Sequence, residues 1–512
     1  MTTPTADVYA AAVLLHYSYE NTIASISSLS IMAMASSFNY CSARIILACL
    51  ISLGFLVAHV AALAAAGSPS SSAPPQPSLL ANKKVCIAGG GPCGIYLATL
   101  LIQQDPTVKI EILERSARNG NTLNAFGIGI SPRMLHSLGE ASPDLRERVE
   151  TVGAPSVIGT RIVSRADLSE TMTQYLEEVD IEGRCSISFG ESCAEVDLDG
   201  NKVTTTAGRT IDYDVLIGAD GINSSVRKTL VAERGIHEEH YLEPSKWKAL
   251  RLPTQPDIEA GSFLPLQHKF LRGGRVLPRY PEGHVMLLFW DKDTGVSNPG
   301  DVDTPEKLKQ LLLEACQDDA PGKRLNFRSL GAGRHKEKTE KKRNIIFDDE
   351  AIDLFLKTRP SRSHYMKIDR FHDGSVALVG DAAAGMNSLL GQGCDCGLQS
   401  AKTLADSFVR KGVTDIESAL ASYSERAMPE AHAITDLNSV AAIFRAGPFT
   451  KALVAPLALK SKIRGKLLFK RLNEVDVPYT QLLKENRLMV ALGKRSFKRD
   501  REPFVPSPNK SD

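Results

Sequence analysis

Apolar residues in this chain gather into short runs, and the first clear run is followed by a glycine-rich turn. Val85 to Ala88 form an apolar segment of the kind that becomes a buried parallel strand. Residues 95–104 are expected to form a helix, and residues 108–113 a second strand. The pattern predicts a strand–turn–helix–strand unit.

Three glycines between the first strand and the helix have G-x-G-x-x-G spacing. Gly89 suits the tight turn, Gly91 lets backbone approach a pyrophosphate, and Gly94 lets the helix pack close to the strand. Glu114 ends the second strand, where an acid binds the hydroxyls of an adenosine ribose. The unit predicts a dinucleotide site, but nicotinamide and flavin enzymes share it, so it does not choose the cofactor.

Two later segments make that choice. Asp214–Gly221 is an apolar run that ends in an Asp-Gly pair, and Val376–Ala383 contains a Gly-Asp pair followed by Gly391-Gln392-Gly393. Either aspartate alone is more typical of an ordinary turn. Together, in this order, the three segments resemble the single-component FAD-dependent aromatic hydroxylases, the group that includes p-hydroxybenzoate hydroxylase and kynurenine 3-monooxygenase.

The resemblance implies an α/β fold. We expect a Rossmann-like FAD-binding domain of the p-hydroxybenzoate hydroxylase type, with an inserted α+β substrate domain and C-terminal helices. The implied boundaries are 83–235 and 365–440 for the two parts of the FAD-binding domain, 236–364 for the substrate domain and 441–512 for a basic helical region.

The resemblance also assigns roles to individual residues. Asp220 and Gly221 close a second strand over the dinucleotide, Asp381 binds the ribityl chain, and Arg165 of Arg-x-x-Leu reaches FAD. Arg133 of Ser-Pro-Arg would lie beside the flavin, although a surface arginine is an equal alternative. The full set of candidate cofactor-binding residues is Gly89, Gly91, Gly94, Glu114, Arg115, Arg133, Arg165, Asp220, Gly221, Asp381, Gly391, Gly393, Cys394 and Asp395.

Two features beside the presumed flavin have alternative interpretations. Cys394 and Cys396 are either small residues in a tight loop, which we favour, or a redox pair. Asp395 either places an anion near the flavin ring or caps the helix that begins there, and we favour the cap.

The similarity is strongest to kynurenine 3-monooxygenase, and the departures concern substrate contacts. Ala441 and Ala442 stand where that enzyme family has an Asn-Tyr pair, and Phe469 stands near its substrate tyrosine. Asp395 replaces an asparagine, and Ala384 a histidine. Because polar partners of an amino-acid substrate are absent, we expect kynurenine to be a poor substrate and an apolar aromatic compound a better one; Ala441 and Phe469 are the candidate substrate residues.

The expected activity is monooxygenation. NADPH or NADH would reduce FAD transiently, and oxygen would reach an aromatic ring through a flavin C4a-hydroperoxide. No side-chain nucleophile and no metal ligand set is needed, and the sequence offers no zinc spacing. Two alternatives remain: a flavin oxidase or dehydrogenase on the same fold, and a membrane-tethered flavin-binding redox sensor without turnover.

Composition and charge exclude other classes. A net charge of +2 over 512 residues gives no indication of a nucleic-acid partner, and nine unevenly spaced cysteines do not form a secreted disulfide framework. Residues 45–66 form an apolar run of transmembrane length, followed by a Ser/Pro-rich linker. We expect a signal peptide or a membrane anchor that gives membrane or endomembrane targeting, with a core helix as the less favoured alternative.

The C-terminal region is strongly basic. No acid occurs from Leu437 to Asn473, while lysines and arginines alternate with apolar residues. This segment is either an amphipathic surface for anionic lipid or a helical cap with a solvated basic face.

Overall fold

The computed structural model describes residues 78–118, 127–155, 161–258, 261–266, 271–279, 283–291, 298–317, 344–440, 443, 454–456, 467–498 and 502–504. All of them lie in one compact unit, Pro77–Asp512. In chain order the main elements are β1 (Lys84–Ala88), α1 (Pro92–Gln104), β2 (Lys109–Glu114), β3 (Gly127–Ile130), α2 (Pro132–Ala141), α3 (Pro143–Val152), β4 (Ala154–Pro155), β5 (Arg161–Ser164), α4 (Arg165–Val179), β6 (Cys185–Phe189), β7 (Cys193–Asp197), β8 (Lys202–Thr205), β9 (Thr210–Asp212), β10 (Val215–Gly218), α5 (Ser225–Arg234), β11 (Glu238–Leu252), β12 (Leu264–Pro265), β13 (Leu271–Pro278), β14 (His284–Trp290), α6 (Pro305–Gln317), α7 (Asp349–Lys357), β15 (Ser361–Ile368), β16 (His372–Asp373), β17 (Val376–Leu378), α8 (Gly393–Phe408), α9 (Ile416–Leu437), α10 (Leu468–Arg471), α11 (Tyr479–Lys498) and β18 (Glu502–Pro503).

The first sheet is mostly parallel and has the order β16-β17-β10-β1-β2-β6. β1 lies at its centre, between β10 and β2, and its residues from Val85 to Ala88 are buried. The predicted β1–α1–β2 unit is therefore confirmed. The helix begins at Pro92 rather than Ile95, because proline at the first helical position needs no amide donor and already has helical φ.

The second sheet is antiparallel and has the order β12-β13-β14-β11-β15. Apolar residues on one of its faces pack against α6 and α7, and Leu288 and Trp290 are almost fully buried there. From their strand-forming residues, segments 247–252, 268–271 and 284–290 are predicted to be strands of this domain. The third is confirmed as β14, and the first is the second half of β11. β15 continues to Ile368, four residues past the predicted boundary at 364. Of the predicted strand 268–271, only Leu271 is described.

The C-terminal helices close the fold. α11 packs against α9, and a buried cluster joins both helices to β15: Asp436 accepts hydrogen bonds from Tyr365 Oη at 2.9 Å and from Lys494 Nζ at 2.8 Å. In the basic region, Arg471 pairs with Glu474 and Glu485. That arrangement agrees with a helical cap, while residues 444–453 and 457–466 lie outside the described part.

Within the described residues, we find no helix with the length and apolar character required to cross a bilayer. The apolar run 45–66, on which the targeting prediction rests, lies outside these residues.

Candidate cofactor and substrate site

The turn after β1 brings together the backbone of Gly90 and Gly91, the Glu114 carboxylate and the Arg165 guanidinium. The Gly90 amide donates to Glu114 Oε2 at 3.0 Å, which fixes the carboxylate at the end of β2. A Cβ on Gly91 would lie 3.3 Å from Arg165 Nη2, so only a residue without a side chain leaves this approach open. Gly91 is the N-cap of α1 and supplies no capping side chain, which leaves first-turn amides available to an anion.

Gly94 is required for another reason. A Cβ there would lie 2.1 Å from the carbonyl oxygen of Gly89, so any side chain would push α1 away from the turn. This is the close helix–strand packing that the sequence predicts.

Asp381 lies in the short 3₁₀ turn Gly380–Ala382, after β17. Asp381 is exposed, yet the surrounding protein desolvates its carboxyl and raises the pKa, while Arg165 and Arg227 lower it. Arg165 therefore faces both Gly91 and Asp381. Gly91, Arg165 and Asp381 thus come from three segments that lie far apart in the chain.

Asp220 follows β10 and is held by α5. Its Oδ2 accepts a hydrogen bond from the Ser225 amide at 2.7 Å, and burial raises its pKa. Its Oδ1 is buried and has no partner in the described part of the chain. A buried acceptor of this kind fits a polar group supplied by a ligand.

The turn before α8 is fastened by the C-terminal segment. Gln392, the N-cap of α8, accepts a hydrogen bond from Tyr479 Oη at 2.9 Å. Arg133 stacks over the Tyr479 ring at 4.6 Å and donates to the carbonyl oxygens of Glu474 and Val477 at 2.7 and 2.6 Å. Arg133 is buried, so the surface alternative is wrong, and its guanidinium is directed at the C-terminal turn.

Asp395 does not cap α8, which corrects the favoured interpretation. It is the third residue of the helix, it is 1% exposed, and its Oδ1 accepts from the Ser131 amide at 3.4 Å. Burial raises its pKa to about 6, against the opposing effects of Ser131, Arg133 and Gln392. The carboxyl thus links α8 to the start of α2.

The cysteines beside this helix are unreactive by environment. Burial raises the pKa of Cys93 to about 12 and raises those of Cys394 and Cys396 as well. Because the thiolate is the reactive form, the structure disfavours a redox pair. The Cys93 side chain packs against Gly397, because a Cβ added to Gly397 would lie 2.5 Å from Cys93 Sγ.

The remaining predicted residues lie around the same turns. Arg115 is exposed immediately after Glu114. Gly221 and Gly391 lie in the turns before α5 and α8, and Gly393 is the first residue of α8. Gly221 and Gly391 have φ of +76° and +67°, which explains the glycines there. Ala441 and Ala442 lie outside the described residues, and nothing is described of the Phe469 side chain.

Arg227 is a site residue whose importance the sequence did not reveal. It is 1% exposed, donates through Nη1 to the Ala382 carbonyl at 3.0 Å, and pairs through Nε with Glu238 at 3.1 Å. It also donates to the carbonyl oxygen of Ile222. One buried guanidinium therefore joins the Asp-Gly turn, the Gly-Asp turn and the beginning of the second sheet. The only signal in the sequence is its place in Ser225-Val226-Arg227, a few residues after the Asp-Gly pair.

These elements fit a flavin dinucleotide. Glu114 can hold the ribose of the adenosine half, the α1 N-terminus and Arg165 the pyrophosphate, and Asp381 the ribityl chain. Two structural observations support this fit: the open backbone at Gly91, which a side chain would fill, and the buried Oδ1 of Asp220, which has no partner among the described residues.

Comparison with known proteins agrees with this geometry. The family model described as "FAD binding domain" matches residues 82–335. Kynurenine 3-monooxygenase of Dictyostelium discoideum is 24% identical over 371 residues, covering 65% of this chain and 72% of that protein. The 3-amino-4-hydroxybenzoate 2-monooxygenase of Streptomyces cremeus is 26% identical over 353 residues, covering 63% and 77% respectively.

Solved structures show the same fold. The tetrameric form of 2-methyl-3-hydroxypyridine-5-carboxylic acid oxygenase superposes with a TM-score of 0.53 at 19% identity, covering 73% of this chain and 95% of that one. At this identity the similarity concerns architecture alone.

Proposed function

We propose that this chain, which belongs to the FAD-dependent aromatic hydroxylases and is a monooxygenase, hydroxylates an apolar aromatic compound with NADPH or NADH as reductant. One observation carries the proposal. Glu114, Arg165 and Asp381 lie together around the turn after β1. The partly exposed apolar face of the second sheet is the side that packs on β3, where a Cβ on Gly127 would lie 3.6 Å from Val285 Cγ1. The convergence supplies a place for the cofactor, and the apolar face a place for an aromatic ring.

Bound FAD would supply the redox and oxygen chemistry. The residues of this chain bind and orient the cofactor and the substrate, and they exclude water. Glu114 and Asp381 would accept hydrogen bonds from cofactor hydroxyls, and Arg165 and the open amides of α1 would neutralise phosphate charge. The C-terminal turn around Tyr479 would hold the α8 N-terminus in place.

The preference for an apolar substrate rests on two supports. Ala441 and Ala442 replace the Asn-Tyr pair of the related enzymes, and the accessible sheet face carries Trp247, Leu287 and Phe289. A zwitterionic amino acid would lose water without regaining equivalent partners, at a cost of several kcal/mol, of the order of 2–7 for each unpaired group.

A substrate screen tests this proposal. FAD-loaded full-length protein would be given kynurenine and a panel of phenols, quinols and polycyclic aromatics, with NADPH consumption and hydroxylated product measured together. We expect substrate-stimulated NADPH oxidation, with oxygen from ¹⁸O₂ in the product of an apolar compound. Tightly coupled 3-hydroxylation of kynurenine would refute the substrate assignment, and hydrogen peroxide as the sole product would favour an oxidase.

We also propose that residues 45–66 target the protein to a membrane. A run of about twenty apolar residues is long enough to cross the hydrocarbon core. A fluorescent reporter fused after residue 82 should sediment with membranes, whereas a matched fusion of residues 67–82 should stay soluble. Diffuse fluorescence from the longer fusion would contradict targeting.

A further inference from the structure

Two helices of this fold begin without a capping side chain. Among the described N-caps of helices with two or more turns, only Gly91 of α1 and Gln392 of α8 give no side-chain hydrogen bond to the first turn. Each of the other six helices has a side-chain oxygen that accepts a first-turn amide, and these oxygens belong to Ser131, Ser142, Ser164, Ser224, Asp348 and Asp415. Because first-turn amides have no partner within a helix, α1 and α8 keep donors that a ligand could use.

These two helix starts lie side by side. A Cβ on Gly397, in the second turn of α8, would lie 2.5 Å from the Sγ of Cys93, in the first turn of α1. A Cβ on Gly380 would lie 3.0 Å from the same sulfur, so the turn that contains Asp381 contacts both helices. We assign that turn to the ribityl chain of FAD. Since the flavin ring follows the ribityl chain in the cofactor, the open end of α8 is placed to meet the ring.

Two polar side chains near the start of α8 could cap it, and neither does. Gln392 is 4% exposed, and its Oε1 accepts a hydrogen bond from Tyr479 Oη at 2.9 Å. Asp395 Oδ1 accepts from the amide of Ser131 at 3.4 Å, and Asp395 Oδ2 is buried without a partner in the described part of the chain. The oxygens that could satisfy the first-turn amides of α8 therefore leave them open.

Tyr479 is fixed by its own contacts. Its side chain is fully buried, the guanidinium of Arg133 lies 4.6 Å from its ring centre, and its backbone amide donates to Glu430 Oε2 at 2.6 Å. Burial raises the pKa of its hydroxyl well above the usual value, so Oη keeps its proton and donates it to Gln392. A rigid donor from the C-terminal helix α11 thus determines where the Gln392 side chain lies.

We propose that Tyr479 is a positioning residue for the cofactor: it holds the Gln392 side chain off the N-terminus of α8 and so keeps the amides there open to the negative charge that the flavin ring gains on reduction. This inference rests on the proposed function and adds to it a residue that acts through Gln392. Open amides at a helix N-terminus stabilise an anion, whereas a capping side-chain oxygen would occupy the same donors. Capping would weaken the binding of reduced FAD relative to oxidised FAD, and the midpoint potential would fall.

The test is the midpoint potential of FAD bound to the full-length protein, measured without oxygen or substrate by equilibration with a reference dye. Tyr479→Phe releases Gln392, and we expect the potential to fall by about 15–30 mV, a three- to tenfold loss in the binding of reduced relative to oxidised FAD. Gln392→Asn should lower it by a similar amount, because asparagine is too short to reach Tyr479 and is a strong N-cap. Gln392→Ala has no capping oxygen and should keep the wild-type potential, and so should the double variant with Tyr479→Phe and Gln392→Ala.

Tyr175→Phe is the matched control. Tyr175 is also a buried tyrosine with an arginine over its ring, Arg148 at 5.5 Å, and its hydroxyl accepts a hydrogen bond from Gln103 Nε2 at 3.4 Å. It lies in α4 and outside the groups assigned to the cofactor, so its variant should keep the wild-type potential.

A Tyr479→Phe protein with the wild-type potential would overturn the proposal. So would a lowered potential that the added Gln392→Ala does not restore, since the tyrosine would then act through general packing. If Tyr479→Phe does not retain FAD, the comparison of Gln392→Asn with Gln392→Ala decides, and equal potentials in those two variants would overturn the proposal. The measurement needs no turnover, so a substrate screen without any hydroxylated product would refute the activity and leave this comparison intact.

Discussion

Arg227 Nη1 donates a hydrogen bond to the carbonyl oxygen of Ala382 at 3.0 Å, joining two motifs that are 155 residues apart in the chain. The same side chain pairs with Glu238, where the second sheet begins. The geometry of the cofactor cleft and the position of the substrate sheet thus depend on one buried cation.

Replacing Arg227 by methionine should destabilise the protein. The change leaves the partly buried Glu238 without its cation, and the carbonyl oxygens of Ile222 and Ala382 lose their hydrogen-bond donor. The free energy of unfolding should therefore fall by about 3 kcal/mol or more. Denaturant unfolding of FAD-loaded protein measures it. Lys307→Met, at an exposed ion pair with Asp303, is the control and should change stability by less than about 1 kcal/mol. Wild-type stability of the Arg227 variant would show that the linkage is not important.

Gly91→Val should abolish FAD binding while the protein remains folded. The branched side chain would begin 3.3 Å from Arg165 Nη2 and occupy the approach to the α1 N-terminus. The flavin absorbance of purified protein gives the result. Gly139→Ala is the control, because its Cβ would meet only the flexible side chain of Arg146, and it should keep its flavin. A yellow Gly91→Val protein would contradict the assigned pyrophosphate site.

Asp381→Ala should weaken FAD binding roughly 10- to 150-fold. A hydrogen bond from a ligand hydroxyl to an ionised carboxylate contributes about 1.5–3 kcal/mol. Apoprotein titrated with FAD and followed by fluorescence quenching provides the Kd, with the exposed Asp369→Ala as a control. If the Kd stays at the wild-type value, Asp381 is an ordinary turn residue.

Asp395→Asn should stabilise the protein in a pH-dependent way. The pKa of Asp395 is raised from 3.8 to about 6 in the folded state, so folding favours its protonated form. Its contribution is fully favourable below pH 4 and is lost as the pH rises through 6. The variant should therefore match wild type near pH 4 and gain stability up to pH 7, by at most about 3 kcal/mol. Unfolding curves across that range test this, and a difference between the two proteins that does not vary with pH would disprove it.

The residues of the proposed cofactor site could be predicted from the sequence alone. Gly89, Gly91 and Gly94 are fixed by local backbone demands, Glu114 by the length of one βαβ unit, and Asp220 and Asp381 by the ends of parallel strands. These constraints act over short stretches of chain, so spacing reveals them. The boundaries of β1 and β14 could be predicted for the same reason, since apolar periodicity is a local property.

The contacts of the charged side chains, by contrast, depend on the tertiary structure. Arg133, predicted beside the flavin, is directed to the C-terminal turn, and Asp395, predicted as a cap, bonds across to Ser131. Arg227 and Arg275 look alike in the sequence, yet one is fully paired and the other has no partner in the described chain. A long side chain is stabilised by whichever groups the fold brings within about 3 Å of its tip. Those groups come from segments a hundred or more residues away, and no local pattern records their approach.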